Sequence, residues 1–178
     1  MESKIAILRG INVGGKRKIL MADLRNLCGE LRMDNVKTYI QSGNIIFNSA
    51  GQNSALENKL ETAIKEKFGF EVPVIVMNSE ELQELVEQNP FYNLTADINK
   101  LHLTFLKEEP AEENNQHAEA YDYKPDKFKI QDKEVFIYCE GKYHQSKLTN
   151  NFFEKKLKTG ATTRNWKTVL KLVELCKG

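Results

Sequence analysis

The order of apolar and polar positions over residues 1–78 predicts strands and helices in a definite sequence. Residues 4–8 (KIAIL) form a short apolar run that indicates a buried strand. Leucines at helical spacing then predict a helix over residues 19–31. The β-branched and aromatic run at 36–40 and the apolar run at 45–47 flank a Ser-Gly-Asn turn. Two such runs around a tight turn predict a β-hairpin.

A second helix and a fourth strand complete this half of the chain. Ser54 and Glu57 have the spacing of a capping box, which predicts the start of the helix. Gly69 is placed to end it in a left-handed conformation. Residues 72–77 (VPVIVM) then predict a strand. The resulting order, strand-helix-strand-strand-helix-strand, is that of a ferredoxin-like unit.

The second half repeats this order with weaker signals. Residues 101–106 alternate as a strand, Pro110 suits the first turn of a polar helix, and residues 128–139 indicate another hairpin. A helix is expected over 148–157, but only residues 159–162 (TGAT) stand where a last strand should come, and an apolar helix follows. We predict an α+β fold of two ferredoxin-like (βαββαβ) units with antiparallel sheets, the second degenerate and ending in an extra helix.

These elements divide the chain into three parts. Residues 1–78 form the first ferredoxin-like unit, residues 79–100 a connecting helix and linker, and residues 101–178 the second unit with its C-terminal helix. The halves share an order of elements and no evident sequence period. The predicted internal duplication therefore rests on topology alone.

Composition narrows the class of protein. The chain has 178 residues, of which 40% are hydrophobic and 29% charged, as in ordinary globular proteins. Its three cysteines are far apart and form no C-x-x-C pair, so we expect neither a disulfide framework nor a metal site, and no cofactor. No run approaches the ~18 apolar residues that a membrane helix needs. We expect a cytoplasmic protein with no membrane partner.

The formal net charge of +1 is unevenly distributed. Residues 1–37 hold 8 basic and 4 acidic side chains, residues 79–122 hold 2 basic and 11 acidic, and residues 142–178 hold 9 basic and 2 acidic. The total excludes a uniformly basic nucleic-acid binder. The basic ends could form one positive face, or the acidic middle could neutralise them within the fold or across a homodimer.

The segment Arg9-Gly-Ile-Asn-Val-Gly-Gly-Lys-Arg17 is the most suggestive one chemically. It fits the G-x-x-x-x-G-K frame whose backbone N–H groups hold phosphates. Arg17 stands where a nucleotide-hydrolysing loop needs Ser or Thr for Mg²⁺, so that function is not predicted. Glycines among cations could still bind a phosphate, a carboxylate or a nucleic-acid backbone. Alternatively, the glycines only turn the chain and the cations are solvated.

A second polar segment, Thr162–Thr168, is expected to open the last helix. A Thr cap leaves free N–H groups at the helix start, and Arg164 adds positive charge there. Trp166 could stack on a ring of a ligand, although an aromatic side chain on an apolar helix packs more often in the core.

Candidates for catalysis are weaker. His144 follows Cys139 by five positions, which leaves a nucleophile–base pair open, although Cys139 ends an apolar strand. His102 and His117 have no partner at metal-ligand spacing. No catalytic residue can be assigned from this pattern.

Three segments together resemble one family. They are LRGINVGGKRKILMADLR, the hairpin YIQSGNIIFNS and the tail TTRNWKTVLKLVEL. In this order they are similar to the bacterial family catalogued as domain of unknown function 1697. The resemblance implies a small α+β protein with ferredoxin-like halves, and it implies no reaction or catalytic residue.

The leading hypothesis is an uncharacterised cytoplasmic protein that binds an anionic ligand: a phosphorylated metabolite, a nucleotide or a nucleic-acid backbone. The candidate ligand-binding residues come from the three polar segments: Arg9, Gly10, Asn12, Gly14, Gly15, Lys16, Ser42, Asn44, Arg164, Asn165 and Trp166. Two alternatives stay open. One is a small metal-independent enzyme that uses His144 or Cys139, and the other is a protein-interaction or dimerisation module.

Overall fold

The structure, a computed structural model, describes residues 1–177. The first half has the six expected elements. They are β1 (Glu2–Leu8), α1 (Met21–Glu30), β2 (Asp34–Tyr39), β3 (Asn44–Ser49), α2 (Asn53–Phe68) and β4 (Val74–Asn78). The strands form an antiparallel sheet in the order β2-β3-β1-β4, the strand order of a ferredoxin-like unit.

The second half is built in the same way. After α3 (Ser79–Gln88) come β5 (Leu101–Leu106), α4 (Glu112–Glu119), β6 (Lys127–Gln131), β7 (Glu134–Tyr138), α5 (Asn150–Leu157), β8 (Ala161–Asn165) and finally α6 (Trp166–Cys176). The strand order β6-β7-β5-β8 matches that of the first sheet position by position. The prediction of an α+β fold with two ferredoxin-like units is confirmed, as is the extra C-terminal helix.

The last strand differs from the expectation. Residues 161–165 form β8, paired antiparallel with β5 from Leu106↔Ala161 to His102↔Asn165, so the second unit has all four strands. The helix therefore starts at Trp166, and no Thr residue caps it. Instead, the Asn165 side chain accepts a hydrogen bond from Thr168 N at 2.8 Å, as a helix cap does. Because β8 (ATTRN) consists mostly of polar residues, it lacks the apolar run that indicates a strand.

The expected capping box of α2 is also absent. The N-cap is Gln52, which makes no side-chain hydrogen bond to the helix start. Glu57 Oε1 instead accepts from Val76 N of the edge strand β4 at 2.9 Å, and Glu61 Oε1 accepts from Val74 N at 2.9 Å. The predicted left-handed end at Gly69 is confirmed, with φ of +80°.

Chain contacts define two compact units. The first is Met1–Glu84 together with the chain from Leu172 on, and the second is Leu85–Lys171. The end of α6 therefore belongs to the first unit. The expected division into 1–78, 79–100 and 101–178 placed the whole helix in the second unit.

Each unit has its own core between one sheet face and its helices. In the first, alternate residues of the strands such as Leu8 and Phe47 pack with Leu24 of α1 and Leu60 of α2. In the second, Val135 and Ile137 of β7 pack with Ala118 of α4 and with Phe153 and Leu157 of α5. Burying one such leucine or phenylalanine contributes about 1.5–3 kcal/mol. Packing in these cores fixes the positions of the strand ends that carry the loops.

No helix among residues 1–177 is long and apolar enough to cross a membrane.

Candidate functional site

The loop after β1 has an unusual backbone. Of residues 10–17, Gly10, Asn12, Gly14, Gly15 and Arg17 all have positive φ, between 49° and 75°. Such conformations are costly for residues other than glycine, and they persist where the surrounding structure holds them in place. We call residues 9–18 the basic loop.

Asn12 supplies much of that restraint. Its Nδ2 donates to the carbonyl oxygens of Ile19 and Gln41, both at 2.9 Å, and its Oδ1 accepts from Ile19 N at 2.9 Å. One side chain thus closes the base of the loop and ties it to the turn before β3. Because all of these amide atoms are engaged within the protein, Asn12 positions the loop rather than facing a ligand.

The tip of the basic loop is a small hairpin. Lys16 N donates to Val13 O at 3.0 Å, with Gly14 and Gly15 between them. Positive φ at both central residues is the geometry of the tightest hairpin turn. All four residues are exposed, so the tip projects from the fold with its two glycines accessible.

Positive charge follows this tip along the chain. Lys16, Arg17 and Lys18 are all exposed. Arg17 lies over Gly10, where an added Cβ would come within 3.3 Å of Arg17 Nη1. The charge of Arg17 also acts on Glu71. The Lys65 ammonium, and to a smaller degree the Arg17 guanidinium, lowers the pKa of the Glu71 carboxyl group.

A cavity of about 300 Å³ adjoins the loop, lined among others by Gly15, Lys18, Leu20 and Gln41. Leu20 is the N-cap of α1 and makes no side-chain hydrogen bond to the helix start. The first N–H groups of α1 are therefore without a side-chain cap, at the end of a helix that favours negative charge. Concave shape, exposed cations and an uncapped helix start favour an anion here.

The turn before β3 packs against the base of the basic loop. Leu8 N donates to Gly43 O at 2.8 Å, and Arg9 N donates to Pro73 O at 3.0 Å. Gly43 has φ of +87°, and a Cβ added to it would lie 2.7 Å from Ile11 Cδ1. Asn44 is fully buried, and its Nδ2 donates to Tyr39 O at 2.9 Å and to Ser42 Oγ at 3.3 Å. The structure thus joins the basic loop to the turn before β3 through side chains of the loop: Asn12 bonds to Gln41 O, and Ile11 packs against Gly43.

The third predicted segment lies in the second unit. Arg164, in β8, is 8% exposed, and burial lowers the pKa of its guanidinium to about 10. Its Nη1 donates to Thr163 O at 3.1 Å. Asn165 is exposed and caps α6, whereas Trp166 is fully buried and packs on the ring of Tyr92 at 5.3 Å. Their surroundings favour a structural role for Arg164 and Trp166.

The sequence indicated the basic run of residues 16–18 but only Lys16 of it was a candidate ligand-binding residue, and Gln41 and Glu71 were not indicated at all. Lys18 could have been included, since it continues the same basic run. Gln41 is tied to the loop through its backbone carbonyl oxygen, and Glu71 lies far from the loop along the chain, so no local pattern signals either residue.

The alternative catalytic pair has little support in the geometry. Cys139 is fully buried, and burial raises the pKa of its thiol, which keeps it protonated. His144 is exposed in a short helical turn. Among residues 1–177, no group of His, Cys, Asp and Glu side chains could hold a metal ion.

Comparison with known proteins gives one family and one fold. The family described as protein of unknown function (DUF1697) matches residues 1–136. No curated protein matches the chain. Among solved structures, the conserved bacterial protein SP0830 from Streptococcus pneumoniae is similar, with 26% identity, 98% of each chain covered and a TM-score of 0.81.

Proposed function

The chain belongs to the DUF1697 family of proteins of unknown function, and we propose that it binds a phosphate-bearing anion through the basic loop of its first unit. The ligand class is a phosphorylated metabolite, a nucleotide or a nucleic-acid backbone. The observation that carries the proposal is the loop itself. A glycine tip with positive φ is fixed at its base by Asn12 and bears three exposed cations.

In this site Lys16, Arg17 and Lys18 contact the charge, because charge-assisted hydrogen bonds to phosphate are the strongest available to exposed side chains. Gly14 and Gly15 offer backbone N–H groups at close approach, since no Cβ shields them. Asn12 holds the base of the loop in place, and Asn44 holds the adjoining turn. Arg9, Gly10 and Ser42 complete its base.

The test replaces the three cations and keeps the loop conformation. The variant is Lys16→Gln/Arg17→Asn/Lys18→Gln, in which Asn is chosen because it tolerates the positive φ at position 17. Calorimetric titration with inorganic pyrophosphate is expected to show affinity at least about tenfold weaker than in the wild type, and weaker binding at high salt.

The matched control removes three exposed lysines of the second unit that belong to no proposed site, as Lys127→Gln/Lys129→Gln/Lys133→Gln. It is expected to retain pyrophosphate binding at the basic loop. Equal binding by the wild type and the loop variant, with both folded by circular dichroism, would contradict the proposal. A short single-stranded oligonucleotide as second titrant separates a small ligand from a nucleic-acid backbone.

We also propose that the two units arose by internal duplication. Beyond strand order, they share a way of covering the edge strand: Glu57 and Glu61 bond to Val76 and Val74. In the second unit, Glu154 Oε1 accepts from Ala161 N at 3.1 Å and Asn150 Oδ1 accepts from Thr163 Oγ1 at 2.6 Å. In both units the helix residues are four apart and the strand residues two apart, which supports a common origin.

A cytoplasmic location and self-association complete the proposal. All three cysteines are free thiols, with Cys28 and Cys139 buried, which suits a reducing compartment. Light scattering at low and high salt tests for a homodimer held by the acidic middle of the chain.

A further inference from the structure

A second concave basic surface lies in the second unit, between α4 and α5. We call it the lysine cleft and define it by Lys155, Lys156 and Lys158. The cleft encloses a cavity of about 450 Å³, whose lining also includes His117 and Tyr121. No carboxylate among residues 1–177 lines it. None of its three lysines belongs to the candidate site of the first unit.

The lysine ammonium groups are not neutralised within the protein. Among the described residues, none of the three forms an ion pair, in contrast to Lys65 and Lys100, which pair with carboxylates at 2.8 Å. A concave surface with a single sign of charge raises the local concentration of counter-ions.

Stabilisation of α5 explains the positions of only two of the three lysines. Lys155 and Lys156 lie in the last turn of α5, where cations favour the helix dipole. Lys158 lies past the helix, however, and has a left-handed backbone with φ of +59°. A glycine would adopt that conformation more easily, so a lysine at this position costs stability.

An exposed aromatic ring completes the cleft. Tyr121 is 57% exposed, and Lys156 Nζ lies 3.8 Å from the centroid of its ring. This cation–π contact holds the ammonium at the wall of the cavity. The ring and the aliphatic part of the lysine side chains form apolar walls beside the charged groups. That combination suits a ligand with an aromatic body and a phosphate.

We propose that the lysine cleft binds phosphate monoesters with an aromatic or heteroaromatic body, such as a mononucleotide. Lys155 and Lys158 contact the phosphate, Tyr121 and the Lys156 side chain contact the aromatic body, and Asn114 and His117 also line the cavity. This site is separate from the basic loop and does not depend on the function proposed for it.

The test uses the full chain and adenosine 5′-monophosphate, with amide NMR signals as a local readout. We expect saturable shifts at Ala120, Tyr121 and Lys158, and weaker affinity for inorganic phosphate or adenosine alone. Lys155→Gln/Lys156→Gln/Lys158→Gly is expected to weaken this binding by at least about tenfold. Since glycine suits position 158, the single variant Lys158→Gly is expected to fold at least as stably as the wild type while binding more weakly.

The loop variant Lys16→Gln/Arg17→Asn/Lys18→Gln removes the same number of charges and is expected to leave the shifts in the cleft unchanged. Failure of one proposal can therefore be distinguished from failure of the other, because binding at each site is measured by the amide signals of that site. Absence of shifts in the cleft, or unchanged affinity in the cleft variant, would overturn the inference. Equal affinity for inorganic phosphate and the nucleotide would overturn the assigned ligand class.

Discussion

Gly43 shows how a single residue governs the base of the candidate site. It has φ of +87°, and a Cβ at this position would lie 2.7 Å from Ile11 Cδ1 and 2.8 Å from Leu8 Cβ. Both neighbours are fully buried. Neither the backbone nor the packing therefore accommodates a side chain at the point where β1 leads into the basic loop.

We predict that Gly43→Ala lowers the free energy of unfolding by about 3 kcal/mol, from strain of the left-handed backbone and from overpacking. Urea unfolding measures the loss. Gly29→Ala is the matched control: Gly29 lies in α1 with no atom within 4 Å of an added Cβ. There the substitution is expected to be neutral or stabilising by up to about 1 kcal/mol. Similar effects at the two positions would contradict the role assigned to Gly43.

His102 is a residue that makes stability depend on pH. It is buried in β5, its ring stacks on Tyr143 at 4.3 Å, and burial lowers its pKa below the usual 6.5. Near pH 6.5 the unfolded chain therefore binds a proton more readily than the folded one. The contribution of neutral His102 to stability is complete above the unfolded pKa and is lost as pH falls toward the folded pKa.

We predict that His102→Phe reduces the loss of stability between about pH 7 and pH 5. Phenylalanine preserves a ring against Tyr143 and cannot be protonated. Thermal unfolding across that range provides the measurement. His144→Gln, at an exposed position, should leave the pH dependence as in the wild type, and an identical slope in His102→Phe would refute the explanation.

At the scale of elements, the edge strands explain why one sequence signal was misleading. Glu57 fits a capping box, but its carboxylate bonds to Val76 N at 2.9 Å. An uncovered N–H on an edge strand invites pairing with other chains, so satisfying it with a side chain protects the sheet. The choice between the two partners depends on where β4 lies relative to α2, which local spacing does not encode.

We predict that Glu57→Ala/Glu61→Ala lowers the free energy of unfolding by about 2–4 kcal/mol, because each removes an acceptor from an edge-strand N–H. Hydrogen exchange at Val74 and Val76 should accelerate together. Glu66→Ala in the same helix, at an exposed position, is the control and is expected to be nearly neutral. Unchanged exchange at both valines would disprove the proposed protection.

Strand β8 marks the limit of pattern reasoning. Helices with regular leucines and hairpins around Gly or Asp turns could be predicted, because their signals are local. Residues 161–165 (ATTRN) contain one small apolar residue and a charge, yet Arg164 is buried opposite Leu103 in the ladder with β5. Pairing with a buried central strand, rather than apolar content, makes this segment a strand.

The same limit applies to the candidate site. The glycines and cations of the sequence indicated the basic loop. Its backbone conformation is restrained by contacts to other parts of the chain, which local patterns do not reveal. The amide of Asn12 and the close packing at Gly43 come from contacts between the loop and the 42–44 turn, far apart in sequence. Conversely, the candidate Asn44 is fully buried, and Trp166 is buried as its place on an apolar helix favoured.

For the whole molecule, the net charge of +1 is the sum of segregated regions. One group of exposed cations lies on the basic loop of the first unit, and another lies in the lysine cleft of the second. No carboxylate among residues 1–177 lines the cavity of the lysine cleft. A nearly neutral chain can therefore present local positive potential sufficient to attract an anion.

The most direct test of the central claim is a titration of the full chain with inorganic pyrophosphate, followed by amide NMR signals. Binding at the basic loop predicts saturable shifts of Gly14, Gly15 and Lys16, which decrease as salt is added. The signals of Gly14 and Gly15 should shift much less at the same pyrophosphate concentration in Lys16→Gln/Arg17→Asn/Lys18→Gln. Loop signals that stay fixed in the wild type at high pyrophosphate would contradict the claim.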